Sequence, residues 1–119
     1  MAKQAQEQFE EVISQLQLHN QQLQMIHLQK QTIDIQNREI EKALEELEKT
    51  SSDVYKSVGP ILVKTEKNSL KKELEETKEE NDMKISALGR QEAKIREKIT
   101  EGQQKFQQML PEQEKGVGG

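Results

Sequence analysis

Val54-Tyr55-Lys56-Ser57-Val58-Gly59-Pro60-Ile61-Leu62-Val63-Lys64-Thr65 is the one β-like segment of this chain, and it decides the fold. It is rich in β-branched residues, which favour pleated strands. Gly59 followed by Pro60 suits a two-residue type II′ turn, which needs a positive φ first and a φ near about −65° second. The segment therefore predicts strands at residues 54–58 and 61–65, joined as a β-hairpin.

A heptad pattern precedes the hairpin. Seam positions recur at alternating steps of three and four, the spacing of a coiled coil, and nine of the twelve are apolar. This pattern predicts a helix over residues 5–49, in which the polar seam residues Lys30 and Asn37 set the register. The predicted seam consists of Phe9, Val12, Leu16, His19, Leu23, Ile26, Lys30, Ile33, Asn37, Ile40, Leu44 and Leu47.

A second heptad pattern follows and predicts a helix over residues 69–110, with Asn68 as its N-cap. Two consecutive steps of four through Asn81 predict a stutter, which locally unwinds a supercoil. Residues 111–119 are expected to form a flexible tail. The predicted seam consists of Leu70, Leu74, Thr77, Asn81, Ile85, Leu88, Glu92, Ile95, Ile99, Gly102, Phe106 and Met109.

The predicted fold class is mainly α: a long antiparallel two-helix coiled coil with a single β-hairpin between the helices, in one domain over residues 1–119. Composition agrees, because 34% of residues are charged, 31% are hydrophobic and Trp is absent, which leaves too few large apolar side chains for a compact core. The net charge of −4 and the lack of a basic face argue against nucleic-acid binding. No apolar run approaches the roughly 20 residues of a membrane span, and we expect a cytoplasmic protein.

The sequence does not favour an enzyme. Carboxylates are spread along a solvated surface, and no enclosed pocket for acid–base catalysis is suggested. His19 and His27 lie two helical turns apart, but no Cys or third His accompanies them. We therefore expect no catalytic residues, no cofactor and no metal site.

The two ends of the predicted coiled coil each offer a candidate binding surface. An isolated two-stranded hairpin is marginally stable in water and has unpaired edges, so we expect it to pair with hairpins of other subunits. The opposite end holds more apolar residues than one partner helix can cover. Two interpretations stay open there: the residues close the end of the coiled coil, or they bind another apolar chain. They are Phe9, Val12, Ile13, Leu16, Phe106, Met109 and Leu110.

The hairpin segment resembles the β-type subunits of prefoldin, both archaeal β subunits and the eukaryotic subunit 6-like branch. That family carries a Tyr-Lys-x-x-Gly-x-x-Leu/Ile-Val pattern between two coiled-coil helices, and Tyr55-Lys56, Gly59 and Leu62-Val63 match it. Weaker similarity is found in Gln29-Lys30-Gln31, in residues 42–47 and in Arg90-Gln91-Glu92. The resemblance covers about residues 5–110 and leaves archaeal or eukaryotic origin open.

The resemblance implies a hexamer of two α-type and four β-type subunits, whose hairpins form a double β-barrel platform from which six coiled coils project. It implies that the tips, with the seven residues above, bind unfolded polypeptides without ATP and deliver them to a group II chaperonin. It also implies a set of hairpin residues that mediate assembly: Val54, Tyr55, Val58, Gly59, Ile61, Leu62 and Val63.

The alternative class is a structural coiled-coil tether or scaffold protein. Such a protein binds one folded partner with specificity, whereas a chaperone binds many unfolded chains and ignores native ones. The tether hypothesis explains the heptads but explains the hairpin poorly.

Overall fold

The computed structural model describes residues 2–110, which form two helices and a two-stranded sheet. In chain order the elements are α1 (Ala2–Lys49), β1 (Val54–Val58), β2 (Ile61–Thr65) and α2 (Lys67–Met109). The fold class predicted from the sequence is confirmed: two long helices with one antiparallel hairpin between them. The expected flexible tail lies outside the described residues.

The chain divides into two units, which we describe separately. The tip unit is the described part of residues 1–28 and 88–119, and the hairpin unit is residues 29–87. Each unit contains a stretch of both helices.

Helix α1 ends where a threonine side chain replaces the next helical hydrogen bond. The Thr50 hydroxyl donates to the Glu46 carbonyl at 2.7 Å. The Thr50 amide donates to the Leu47 carbonyl at 3.3 Å, a tighter turn than the α-helix has. Small hydroxylated residues compete with helix continuation in this way, and the helix ends at Lys49 as predicted.

The hairpin has the register and the turn that its sequence predicts. Val58 pairs with Ile61 across the two-residue loop, and Val54 pairs with Thr65 at the open end. Gly59 has a φ of +58°, and it is the only positive φ among the described residues. A positive φ followed by a proline fits a type II′ turn, whose twist matches that of the flanking strands.

Helix α2 begins two residues earlier than predicted. The Glu66 carbonyl accepts the Leu70 amide at 3.0 Å, so Glu66 is the N-cap, and the Ser69 hydroxyl donates to its carboxylate at 3.5 Å. The prediction of Asn68 as N-cap is wrong, since Asn68 lies inside the first turn. The reason is local, because β2 runs to Thr65 and leaves one residue before the helix.

The seam predicted for α1 is the buried stripe of that helix. All twelve of its positions are buried or half-buried. The most deeply buried apolar residues are Val12, Ile26, Ile40 and Leu47. A strict heptad pattern of this length therefore specified which face of the helix is covered.

The seam predicted for α2 is wrong at two positions, Thr77 and Met109, which are both exposed. Thr77 is exposed and donates to the Glu73 carbonyl at 3.0 Å, while Lys78 is half-buried in its place. Half-buried Lys71 also joins the stripe, which then runs in steps of three and four past Asn81 without the predicted stutter. Lysine can occupy a seam because its aliphatic stem packs while its ammonium reaches water or a carboxylate.

A hydrogen-bonded asparagine pair lies in the seam of the hairpin unit. Asn37 of α1 and Asn81 of α2 are both buried. The Asn81 side-chain amide donates to the Asn37 oxygen at 3.0 Å, and the Asn37 amide donates to Asp82 Oδ1, also at 3.0 Å. Other registers would leave these buried polar groups without partners, so the pair favours this alignment.

Candidate assembly and binding surfaces

The hairpin exposes most of its apolar side chains. Half-buried Val54 is the exception, and the others are between 42% and 72% exposed. The exposed ones are Tyr55, Val58, Ile61, Leu62 and Val63. A cluster of this kind on a short sheet marks a surface for another protein.

Apolar residues lie on both faces of the hairpin. The register places Val58 beside Ile61 on one face and Leu62 beside Ser57 on the other. An antiparallel sheet that has one face in water shows apolar residues on one side only. This hairpin therefore has the pattern of a ribbon that is covered on both sides.

The two outer edges of the hairpin are also available for pairing. In a ladder closed by a two-residue turn, the pair that flanks the turn exchanges both hydrogen bonds, and bonded pairs alternate with non-bonded ones. The backbone groups of Tyr55 and Ser57 in β1, and of Leu62 and Lys64 in β2, therefore point outward. Such edges can each accept a strand from a neighbour.

Lysines tie the base of the hairpin to its surroundings. The Lys56 ammonium of β1 contacts the Glu73 carboxylate of α2, and the Lys67 ammonium donates to the Thr50 carbonyl at 3.1 Å. Lys64 lies 3.5 Å from Asp53. These contacts hold the hairpin in place without covering its apolar side chains.

Ion pairs between α1 and α2 continue along the hairpin unit. Lys71 Nζ lies 2.7 Å from Glu48 Oε1, and Lys78 Nζ lies 3.1 Å from Glu41 Oε1. The hydrogen bond and the charge of Lys71 lower the pKa of the Glu48 carboxyl, and Glu48 in turn raises the pKa of Lys71. Glu48 is exposed and the side chain of half-buried Lys71 still reaches water, so solvent screens the pair.

An aromatic pair joins the two helices of the tip unit. The ring centroids of Phe9 and Phe106 are 5.1 Å apart with an interplanar angle of 29°, a stacked arrangement. These are the two phenylalanines of the chain. Each ring is half-buried, so part of each is available to another molecule.

The structure places the seven predicted tip residues at different depths. Met109 is exposed, and Ile13, Leu16 and Leu110 are half-buried like the two phenylalanines. Val12 is only 8% exposed, because it faces the seam between the helices. Val12 therefore supports the others from behind and offers little surface of its own.

Gly102 brings the helices of the tip unit close together. A Cβ atom at this position would lie 2.8 Å from Leu16 Cδ2 and 3.3 Å from Leu16 Cγ. A groove of about 320 Å³ lies beside this contact and has uncharged walls, lined by Leu16, Gln103, Phe106, Gln107 and Leu110. A lining of three apolar and two amide side chains suits an uncharged apolar side chain and the peptide groups beside it.

Sequence reasoning did not identify this groove or the role of Gly102. Gly102 appears in the predicted seam, but its spacing does not say which residue would approach it. The exposed apolar residues Leu18, Met25 and Leu28 on the outer face of α1 were also missed. They could have been recognised in the sequence, because they are apolar residues at heptad positions that are ordinarily polar in a coiled coil.

The described residues contain neither a membrane-spanning helix nor a cluster of metal-ligating side chains. None of the helices in residues 2–110 combines the length and the apolar character that crossing a membrane requires. Within the same range, no three His, Cys, Asp or Glu side chains are grouped so that they could hold a metal ion.

A pair of heptad helices connected by an exposed two-stranded hairpin defines the class of this protein: a coiled-coil subunit with one β-hairpin. The family model described as prefoldin subunit matches residues 4–113. The chain belongs to the prefoldin subunit family, and the resemblance carried by the hairpin motif is confirmed.

The relatives are β-type subunits. Prefoldin subunit beta of Archaeoglobus fulgidus is 51% identical over 59 residues, which are 50% of this chain and 51% of the relative. Prefoldin subunit beta of Pyrococcus furiosus is 48% identical over 56 residues, 47% of this chain and 48% of the relative. The chain thus matches about half the length of these curated relatives.

A solved structure matches over more of the chain. The crystal structure of the prefoldin beta subunit from Thermococcus strain KS-1 aligns with a TM-score of 0.78 and 38% sequence identity. The alignment covers 87% of this chain and 92% of that chain.

Proposed function

We propose that the chain is a β-type subunit of a cytoplasmic prefoldin-type co-chaperone. In this proposal, four copies assemble with two α-type subunits through their hairpins. The tip units bind unfolded polypeptides without ATP, and the assembly delivers them to a group II chaperonin. The similarity to prefoldin β subunits in sequence and fold supports this role.

The observation that carries the proposal is a hairpin with exposed apolar side chains on both faces and two open edges. Strands from neighbouring subunits would pair with the edges, and packing between sheets would cover the faces. The assembly residues of the proposal are those expected from the sequence: Val54, Tyr55, Val58, Gly59, Ile61, Leu62 and Val63. Gly59 serves by its turn conformation and the others by their side chains.

Client binding is proposed for the tip unit. Met109 and the uncharged groove beside Leu16 and Phe106 supply apolar surface that is open to solvent. Ile13, Phe9 and Leu110 extend it, and Val12 packs behind it. Each tip offers a small patch, so one contact would be weak. Several tips on one assembly would raise the avidity through effective concentration.

A triple variant tests client binding: Ile13→Gln, Met109→Gln and Leu110→Gln. These positions are exposed or half-buried, so the fold should tolerate glutamine, while the apolar surface for clients is lost. We expect the assembly to keep its mass and to lose most of its ability to suppress aggregation of a chemically unfolded protein.

Met83→Gln is the matched control, because Met83 is exposed on α2 and lies in the hairpin unit between charged residues. It should leave suppression unchanged. Full suppression by the triple variant would show that clients bind elsewhere and would contradict the tip assignment.

A further inference from the structure

The outer face of α1 in the tip unit carries three exposed apolar residues. Leu18, Met25 and Leu28 are 50%, 62% and 64% exposed. When the seam residue Phe9 is heptad position a, these residues occupy positions c and f, which lie opposite the seam. We call them the outer strip. Burial between the two helices does not explain them, since each is at least half exposed even though Leu18 borders a groove between the helices.

Along α1 itself, the stretch that carries the outer strip is almost free of charged residues. Between Glu11 and Asp34, the only Lys, Arg, Asp or Glu is Lys30. Glutamine fills most of the polar positions in this stretch, although 34% of the whole chain is charged. An amide-rich surface of this kind attracts neither a charged membrane nor a nucleic acid, and it can exchange hydrogen bonds with peptide groups.

The outer strip is continuous with the surface proposed to bind clients. Leu18 lines a groove of about 310 Å³ together with Leu16 and Gly102. Charged residues of α2 line it as well: Lys98, Glu101 and Lys105. Leu16 also lines the uncharged groove at the tip. A chain bound at the tip could therefore continue along the uncharged face of α1 over Leu18 toward Met25, with the charged α2 side chains of the groove to one side.

We propose that the outer strip binds an extended, uncharged apolar segment of a non-native polypeptide. This inference rests on the proposed function and adds a second contact surface to it. Leu18 and Leu28 are ten residues apart, or about 15 Å along a helix, which matches about five residues of extended chain. Alternate side chains of such a segment would contact the strip.

A helical partner fits the outer strip less well. A second coiled-coil seam needs an apolar residue at every step of three and four. Position f between Leu18 and Met25 is Gln21, so the strip lacks one of these steps. An extended segment does not require that periodicity, because its side chains repeat every two residues.

The experiment uses three variants of the protein. In each variant, the same photocrosslinker replaces one exposed methionine. Met25→p-benzoylphenylalanine tests the outer strip, and Met109→p-benzoylphenylalanine tests the tip. Met83→p-benzoylphenylalanine is the control, because Met83 is 68% exposed, like Met25, but lies between Asp82 and Lys84. The probe is a biotinylated peptide of about twelve residues in which leucine alternates with serine.

We expect crosslinks to the peptide from position 25 to exceed those from position 83 by about fivefold, and position 109 to crosslink as well. If position 109 crosslinks while position 25 only equals position 83, the inference is wrong and the proposed function stands. If position 25 crosslinks to another copy of this chain instead of the peptide, the strip is an interface between copies and the inference is overturned. If none of the three captures the peptide, the proposed client binding fails as well.

A charge variant gives a second readout. Gln21→Glu places a carboxylate inside the outer strip and keeps good helix propensity. It should lower the yield from position 25 by about threefold and leave position 109 unchanged. Gln91→Glu on α2 is the matched control and should change neither yield. Equal yields from position 25 with and without the new charge would contradict the inference.

Discussion

Gly59 shows how one residue sets the hairpin. Its φ of +58° lies in the left-handed region, where a side chain is strained, yet no atom lies within 4 Å of a Cβ at that position. Gly59→Ala should therefore destabilise the protein by about 1 kcal/mol through backbone strain alone. The free energy of unfolding from urea titration measures this change.

Gly89→Ala is the matched control for Gly59→Ala. Gly89 also has no atom within 4 Å of a Cβ, but it lies inside α2 with an ordinary backbone conformation. The same change should therefore stabilise the protein by about 0.5–1 kcal/mol. Equal effects at the two glycines would contradict the assigned turn.

The buried asparagine pair gives a second prediction at this scale. Asn81→Leu leaves the Asn37 side-chain oxygen without its donor, so we expect a loss of about 1–3 kcal/mol in the free energy of unfolding. The double change Asn37→Leu with Asn81→Leu should recover most of that loss, because no buried amide is left unpaired. Urea titration of the single and double variants forms the cycle. Additive losses would mean that the two residues do not act as a pair.

Sequence reasoning identified Asn37 as a register residue but not its hydrogen-bonding partner. The heptad pattern puts Asn37 and Asn81 in the seams, and the alignment of the two helices decides that they meet. A shift of one turn would have paired other residues, and nothing in either helix alone excludes it. Single-residue contacts across helices therefore depended on the structure.

At the scale of elements, the ion pair between Glu48 and Lys71 predicts a pH dependence. The Lys71 ammonium holds the pKa of Glu48 below its ordinary value of 4.5. The resulting stabilisation is fully present above pH 4.5 and is lost as the pH falls through the lower pKa of the folded state. Glu48→Gln should lower the thermal midpoint by about 1–2 °C at about pH 7 and by less at about pH 3.

Lys71 sets the highest pH at which this ion pair stabilises the protein. Its pKa is raised above 10.5, so its contribution is complete below pH 10.5 and is lost only as the pH rises through the raised value. In a Lys71→Met background, Glu48→Gln should no longer change the midpoint in a pH-dependent way. If the effect of Glu48→Gln still depended on pH in that background, the pH dependence would belong to a group other than this ion pair.

The exposed apolar side chains of the hairpin predict how a charge placed there would affect assembly. Leu62 is 72% exposed in the single chain, so Leu62→Lys should change the stability of an isolated chain little. If hairpins pack on one another, the same change buries a charge and should lower the oligomer mass measured by sedimentation. Met83→Lys on α2 is the control and should leave the mass unchanged. An unaltered mass for Leu62→Lys would contradict assembly through the hairpin.

The elements themselves were largely predictable, and their junctions were not. β-branched residues around Gly59-Pro60 predicted both strands, because the turn and the strands depend on local chemistry. The start of α2 was missed, since the end of β2 decides it and not the capping preference of Asn68. Thr77 was placed in the seam from its spacing alone, whereas the structure half-buries Lys78 and exposes Thr77.

At the scale of the whole molecule, the proposed function depends on two surfaces: the hairpin, and the tip unit with its outer strip. Sequence reasoning found the hairpin and the apolar residues of the tip because both depart from a plain coiled coil. It could not rank the tip residues by exposure. In the structure, Val12 is buried in the seam and Met109 is exposed to solvent. It also missed the groove at Gly102, which requires the close approach of two helices.

The most direct test of the proposed role is whether this chain completes a hetero-oligomer through its hairpin. Light scattering gives the mass of the purified chain alone and after mixing with an α-type prefoldin subunit. We expect mixing to yield a hexamer with twice as many copies of this chain as of the α-type subunit. A stable dimer that does not respond to the α-type subunit would contradict assembly through the hairpin and favour a coiled-coil tether.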